Sequence, residues 1–281
     1  MNDRNNLSKI IIKNNKMLEL KSIARPFLGI ALVFMLSACS LMTTQHNVCD
    51  LRVLSLQIER QSEDAITGHL EYVNTLQASQ EKLNQLAPSV VKQISNQYDA
   101  DKFMHNVDAL NADIDVIKKN KKNLNHIYDM HIAVSETIPG IQAEYNLMVD
   151  QMARNNYPSA QVVLAKNQVF IAERILRSTS GLINSKDYYT ANAADFDADV
   201  ETFAAYVKAQ LEGNPELGVV RVNDPELRSS LESIQSEVEE VLLPASVDIR
   251  KISREVIEVN KAMKDIKVKS NEIFDELNKL K

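Results

Sequence analysis

Apolar side chains recur every three or four residues along most of the chain. No stretch alternates apolar and polar residues between hairpin turns. A period near 3.6 lines one face of a helix, and a period of 2 lines one face of a strand. The pattern therefore predicts an all-α protein with no sheet. Its cleanest stripe lies near the C-terminus: Ile249, Ile252, Val256, Val259, Met263, Ile266, Ser270, Ile273, Leu277 and Leu280, spaced by three and four in turn. Nine of these ten are apolar, and Ser270 is the polar exception that should weaken packing locally. Sustained over more than four heptads, such a seam predicts coiled-coil-like packing. It leaves open a bundle helix packed on its own chain and a homodimer or partner-helix seam.

The breaks are few. A helical pattern from Asn47 to Ala87 meets Pro88, and a second, from Lys102 to Asn155, is interrupted by Pro139-Gly140. Asn155 to Ser159 reads as a loop, with Ser159 placed to cap the next helix. Asn184-Ser185 marks a turn, and Gly213-Asn214-Pro215 ends the helix through Phe203, Val207 and Leu211. Asn223-Asp224-Pro225-Glu226 is cap chemistry with proline at the first helical position, and Pro244 precedes the last helix. Long antiparallel helices on short connections predict an elongated helical bundle. The divisions expected are 1–38, a signal segment; 39–135, a first helical module; 136–243, a second; and 244–281, the heptad helix.

One run changes the picture of where the chain resides. Phe27 to Met42 is sixteen residues without a charge, about 24 Å as a helix and short of the roughly 30 Å hydrocarbon core. Five basic residues from Lys9 to Arg25 precede it. Small residues before a cut mark a secretory signal. Leu36-Ser37-Ala38-Cys39 is similar to a bacterial lipobox. That resemblance implies cleavage before Cys39 and acylation of its thiol and new N-terminus, and multiple acyl chains suffice for stable membrane anchoring. The alternative is a short uncleaved anchor. A start at Met17 gives a more compact signal than Met1. Residues 1–38 carry six basic and two acidic side chains, so their removal takes the formal net charge from −6 to −10. So acidic a chain repels phosphate backbones, which argues against a nucleic acid partner. With Cys39 lipidated, no internal disulfide and no cysteine metal site are expected, and Cys49 reads as a small packing residue, with an intermolecular disulfide as the alternative. Six glycines and no tryptophan in 281 residues fit helix composition.

Catalytic signatures are missing from this pattern. No nucleophile elbow, zinc-protease helix, phosphate loop or calcium loop occurs. His126 and His131 are five apart, so they do not share a helical face as metal ligands would. Asp195, Asp197 and Asp199 read as a local acidic run on a solvated helix face or at a helix start. Tyr188-Tyr189 reads as helix-end packing or an aromatic contact patch. We expect no enzyme, cofactor or metal.

Four stretches carry a family resemblance. Asp50-Leu51-Arg52 through Arg60 resembles the N-terminal box of NarX-like and PilJ-type sensor domains, roughly LR-x-LSQRIAK. Glu136-Thr137-Ile138-Pro139-Gly140-Ile141-Gln142-Ala143-Glu144-Tyr145 resembles the ETIPQLQ-x-EY element of PilJ-type type IV pili methyl-accepting chemotaxis transducers. Ala172-Glu173-Arg174-Ile175-Leu176-Arg177-Ser178 resembles their AERILRS element, and Gln210-Leu211-Glu212-Gly213-Asn214 their Q-x-GN loop. The matches fall in order over roughly residues 47–281. The resemblance implies a periplasmic, all-helical sensory region of two stacked modules upstream of a chemosensory system. It also implies that Arg52 matches a box arginine that grips an oxyanion at a dimer interface, and it draws attention to Arg174 and Arg177 as ligand contacts. The competing reading for all three is a solvated or salt-bridged helix residue. The first box departs from the family at Leu56-Gln57.

No second membrane span, HAMP linker or cytoplasmic coiled coil follows before Lys281, so the chain is expected to act through a partner. The reading is a lipid-anchored periplasmic sensory or accessory module, binding pilin, a transducer or a small ligand. Ser40 after the cysteine favours the outer over the inner membrane. The alternatives are a structural envelope lipoprotein serving as a helical spacer, supported by the heptad seam, and a truncated transducer remnant.

Overall fold

The computed structural model describes residues 43–66, 71–184 and 189–280, which are almost wholly helical. In chain order the helices are α1 (Thr43–Ile66), α2 (Glu71–Val90), α3 (Gln97–Lys119), α4 (Lys121–Arg154), α5 (Ser159–Asn184), α6 (Tyr189–Glu212), α7 (Pro225–Glu237) and α8 (Leu243–Asn278). Among the described residues the only β pairing is an isolated bridge between Asn214 and Val219. The expected all-α bundle is what forms. Among the described residues no helix is long and apolar enough to cross a membrane. The run Phe27–Met42 lies outside them.

Two hydrophobic cores are stacked along the molecule. The first gathers Leu51, Leu54 and Ile58 of α1, Leu76 and Leu83 of α2, Phe103, Leu110 and Ile114 of α3, Leu124 of α4, and Val259, Ile266, Ile273 and Leu277 of α8. Polar ties follow the same ring of helices. Asn47 donates to Ser89 at 3.2 Å, Gln80 to the Asn111 carbonyl at 3.2 Å, Lys102 pairs with Glu276 at 3.2 Å, and Lys267 with Glu59 at 3.4 Å. The second core is built from α4 beyond Ile127, α5, α6, α7 and the beginning of α8 through Ile249 and Val256. The heptad stripe therefore packs on the chain's own helices. Ile249 and Val256 belong to one core and Val259 onward to the other. At about 1.5 Å per residue α8 is a strut of about 54 Å common to both. Ser270 is fully buried in the stripe, and its hydroxyl has no hydrogen-bond partner among the described residues.

Several breaks differ from the sequence pattern. The run from Asn47 to Ala87 is described as two antiparallel helices, Thr43–Ile66 and Glu71–Val90, and Pro88 is inside the last turn of α2. Pro139 sits within a continuous α4, whose start follows Asn120. A proline removes one donor, and the neighbouring turns of a long packed helix carry the loss. Two other boundaries fall where cap chemistry places them. Gly213 follows α6 with φ +86°, a left-handed position suited to glycine. Asp224 accepts from the amides of Glu226 and Leu227 at 2.9 and 3.2 Å, with Pro225 opening α7. Between α7 and α8, Val238–Leu242 forms one π turn in which the Leu243 amide reaches the Val238 carbonyl. Pro244 explains the widening, since it has no N–H for the carbonyl of Glu240 and its ring would crowd it.

Candidate functional site

Three of the four stretches that carry the resemblance meet inside the second core. Tyr145 of α4 is fully buried and donates its hydroxyl to Oε1 of Gln210 on α6 at 2.8 Å. Its ring stands edge-on to Phe203, centroids 5.7 Å apart at 78°, a geometry that contributes about 0.5–1.5 kcal/mol beyond burial. Burial pushes the phenol far above its ordinary pKa, so it is a hydrogen-bond donor at every physiological pH. On the same helix Gln142 donates to the Val169 carbonyl at 3.3 Å and to Glu173 at 3.4 Å, which joins the α4 stretch to the α5 stretch. Glu144 accepts from Ser230 of α7 at 2.9 Å. An open groove of about 590 Å³ runs between α4 and α7 alongside these contacts, with Glu144, Asp150, Gln151, Arg154 and Glu226 in its walls.

The Gln210–Asn214 stretch ends α6 and shapes the loop beyond it. Asn214 and Val219 exchange backbone hydrogen bonds at 2.8 and 2.9 Å. The Asn214 side chain accepts from the amides of Glu216 and Leu217 at 3.0 and 3.1 Å. The Val222 amide returns to the Gln210 carbonyl at 2.8 Å, and Arg228 of α7 covers the carbonyls of Leu211 and Val222. An Asn after a left-handed glycine thus supplies the acceptor that closes the loop.

The arginines singled out in the sequence occupy three different settings. Arg52 directs Nε and Nη2 to the carbonyl of Leu277 and Nη2 to that of Leu280 at 3.0 Å. It covers the last carbonyls of α8, where the helix dipole favours a cation. Arg174 grips Asp199 of α6 with both Nε and Nη2, the former at 3.0 Å. The Asp199 side chain is only 4% exposed against 59% for Arg174. Burial raises the Asp199 pKa, with the Arg174 charge and hydrogen bond opposing it and Asp195 adding to the rise. Arg177 is exposed and pairs with no carboxylate among the described residues. Arg52 and Arg174 lie in different cores, so the structure does not bring the three into one cluster. Cys39 lies outside the described residues. Cys49, expected first of all to be a small packing residue, is half-buried and disulfide-bonded.

The acidic run of α6 is a correction. Asp197 accepts from Ser246 and, at 2.6 Å, from Arg250 of α8. With Asp199 held by Arg174, two of the three aspartates anchor neighbouring helices. Residues two apart on a helix are about 200° apart, so the three never could share one solvated face. Tyr189 is buried, as helix-end packing requires. His126 bonds Asp248 of α8 at 3.0 Å, and His131 lies 3.4 Å from Ser135, so the two imidazoles serve separate contacts.

This geometry is an interlocked helical module in which the resembling stretches hold one another in place. No protein-family model matches the chain. It is 28% identical over 260 residues to a putative methyl-accepting chemotaxis protein, AlkN, of Alcanivorax borkumensis, with 90% of this chain and 38% of that protein covered. It is 24% identical over 245 residues to protein PilJ of Pseudomonas aeruginosa, with 82% and 35% covered. The chain is thus related, over most of its length, to the PilJ-type chemotaxis transducers. It spans little more than a third of the length of these curated relatives.

Proposed function

We propose that the chain is an envelope-facing sensory or accessory module of a pilus-linked chemosensory system, anchored by lipid at Cys39, and that it binds a protein or small ligand rather than catalysing a reaction. The observation that carries this reading is the convergence of the Gln142–Tyr145, Glu173–Arg174 and Gln210–Asn214 stretches in one core, in a chain related to two chemotaxis transducers. Pilin and a membrane-spanning transducer are the protein partners proposed, and the groove between α4 and α7 is a polar surface of suitable size. The heptad stripe, main support for a spacer rod, packs on the chain's own helices.

A clean deletion is expected to alter twitching motility and chemosensory output, with restoration by the full gene. Unchanged motility and output in the deletion strain would sink the reading. The anchor has its own test. The intact mass of the membrane-extracted chain decides the state of Cys39. The expected mass corresponds to a chain beginning at Cys39 with diacylglycerol and an N-acyl group, and a Cys39→Ser variant should leave the membrane fraction. A full-length, unacylated mass overturns the anchor.

A further inference from the structure

Each helix of the second core is weakened at one level. In α4, Pro139 has no N–H for the Ser135 carbonyl, and Gly140 follows it; both are exposed. In α5, the hydroxyls of Ser178, Thr179 and Ser180 donate to the carbonyls of Arg174, Ile175 and Leu176 at 2.9, 2.5 and 2.9 Å. Successive carbonyls are thus shared between a hydroxyl and a helix amide, which loosens and bends the turn. In α6, Thr202 does the same to the Ala198 carbonyl at 2.7 Å. Between α7 and α8 the ladder widens into the π turn Val238–Leu242. Prolines, π turns and side chains that enter the ladder are where helices kink.

Cross-helix contacts set these interruptions side by side. Gln142, one turn beyond Pro139, bonds Glu173, the neighbour of Arg174. Arg174 in turn grips Asp199, the neighbour of Ala198. The π turn packs on both α4 and α6. One interruption is ordinary in a long helix, but here no helix crosses the level with an undisturbed ladder. Below it α5 and α6 turn back, whereas α4 and α8 continue into the first core through Leu124 and Val259.

We propose that this level is a joint about which the outer part of the second module, with the connections 155–158 and 213–224, tilts as a block. The Arg174–Asp199 pair and the Gln142–Glu173 bond lie at the pivot, where a tilt displaces them least, so they hold the helices abreast while the ladders flex. A tilt of the outer block reaches the first core through the two helices that continue into it, α4 and α8. The α4 and α5 parts of the joint fall inside the stretches Glu136–Tyr145 and Ala172–Ser178. The joint is defined by backbone bonding alone and stands or falls independently of the proposed cellular role.

Hydrogen exchange of the full-length chain, followed by mass spectrometry, tests the joint. Peptides spanning 136–143, 175–183, 198–204 and 238–246 should exchange at a common rate, about ten-fold or more above 127–133 of α4 and 105–114 of α3, because one opening exposes them together. Gly140→Ala is the sharpest variant, since nothing lies within 4 Å of the added methyl and alanine stiffens a helix. It should slow exchange several-fold in α5 and at the π turn as well as in α4. Pro139→Ala, which returns a donor to the Ser135 carbonyl, should act in the same direction. Slowing confined to α4 in both variants, or joint peptides as protected as the reference segments, overturns the proposal and leaves separate local irregularities.

Discussion

Arg174 and Asp199 show how a residue singled out for ligand contact can be committed elsewhere. The carboxylate is buried, the guanidinium forks onto both its oxygens, and the pair joins α5 to α6. Arg174→Ala strands a buried carboxylate, and we expect a loss of about 1–3 kcal/mol in urea denaturation at pH 7. Arg174→Ala with Asp199→Ala together should cost less than the sum of the singles, because each single leaves the other group unpaired. Full additivity would refute the pairing. A second residue-scale effect concerns Asp113 of α3. Burial first, then the neighbouring Asp265 of α8, push its pKa up to about 6, against the pull of Lys261 and Lys269. A carboxyl raised in the folded state binds its proton more readily there than in the unfolded chain. Stability from this group is therefore greatest below the ordinary carboxylate range and is lost as pH rises from about 4 to about 6. Asp113→Asn should melt higher than wild type at pH 7.5, and the difference should shrink as pH falls through that window. A difference independent of pH would contradict the shift. The repeated apolar spacing placed Asp113 on a helix but gave no hint of Asp265, which is 152 positions away.

At the scale of elements, capping was readable at two boundaries, while Ser159, read as a cap, is the first helical residue of α5, and pairing was not readable. Gly213, Asp224 and Pro225 act where their chemistry predicts, since a left-handed turn and an N-cap are set by residues two or three positions apart. Gly213→Ala forces a side chain onto φ +86° and brings its Cβ to 3.4 Å from that of Arg221. We expect a loss of about 1 kcal/mol or more, seen as a lower urea midpoint. An unchanged midpoint would show that the loop can refit. Prolines were less reliable guides, because Pro88 and Pro139 both lie within helices that tertiary packing holds continuous.

At the scale of the whole molecule, α8 makes the two cores one mechanical unit. It lends Ile249 and Val256 to one and Ile266 and Ile273 to the other. Ile266→Ala opens a cavity in the first core and should cost about 2–5 kcal/mol. Because the strut is continuous, calorimetry should show a single transition that moves as a whole in this variant. Two separated peaks would mean that the cores unfold independently. The sequence by itself determined the helical class, the caps and the heptad stripe, because these depend on neighbours within one or two turns. Its ordered resemblances also pointed to the transducer relationship that the comparisons then supported. Only the tertiary structure decided that the stripe packs on its own chain, that Arg52 covers the end of α8, and that Tyr145 reaches Gln210. Those contacts join residues tens to hundreds of positions apart, and a periodic pattern states which face is apolar without naming the face it meets.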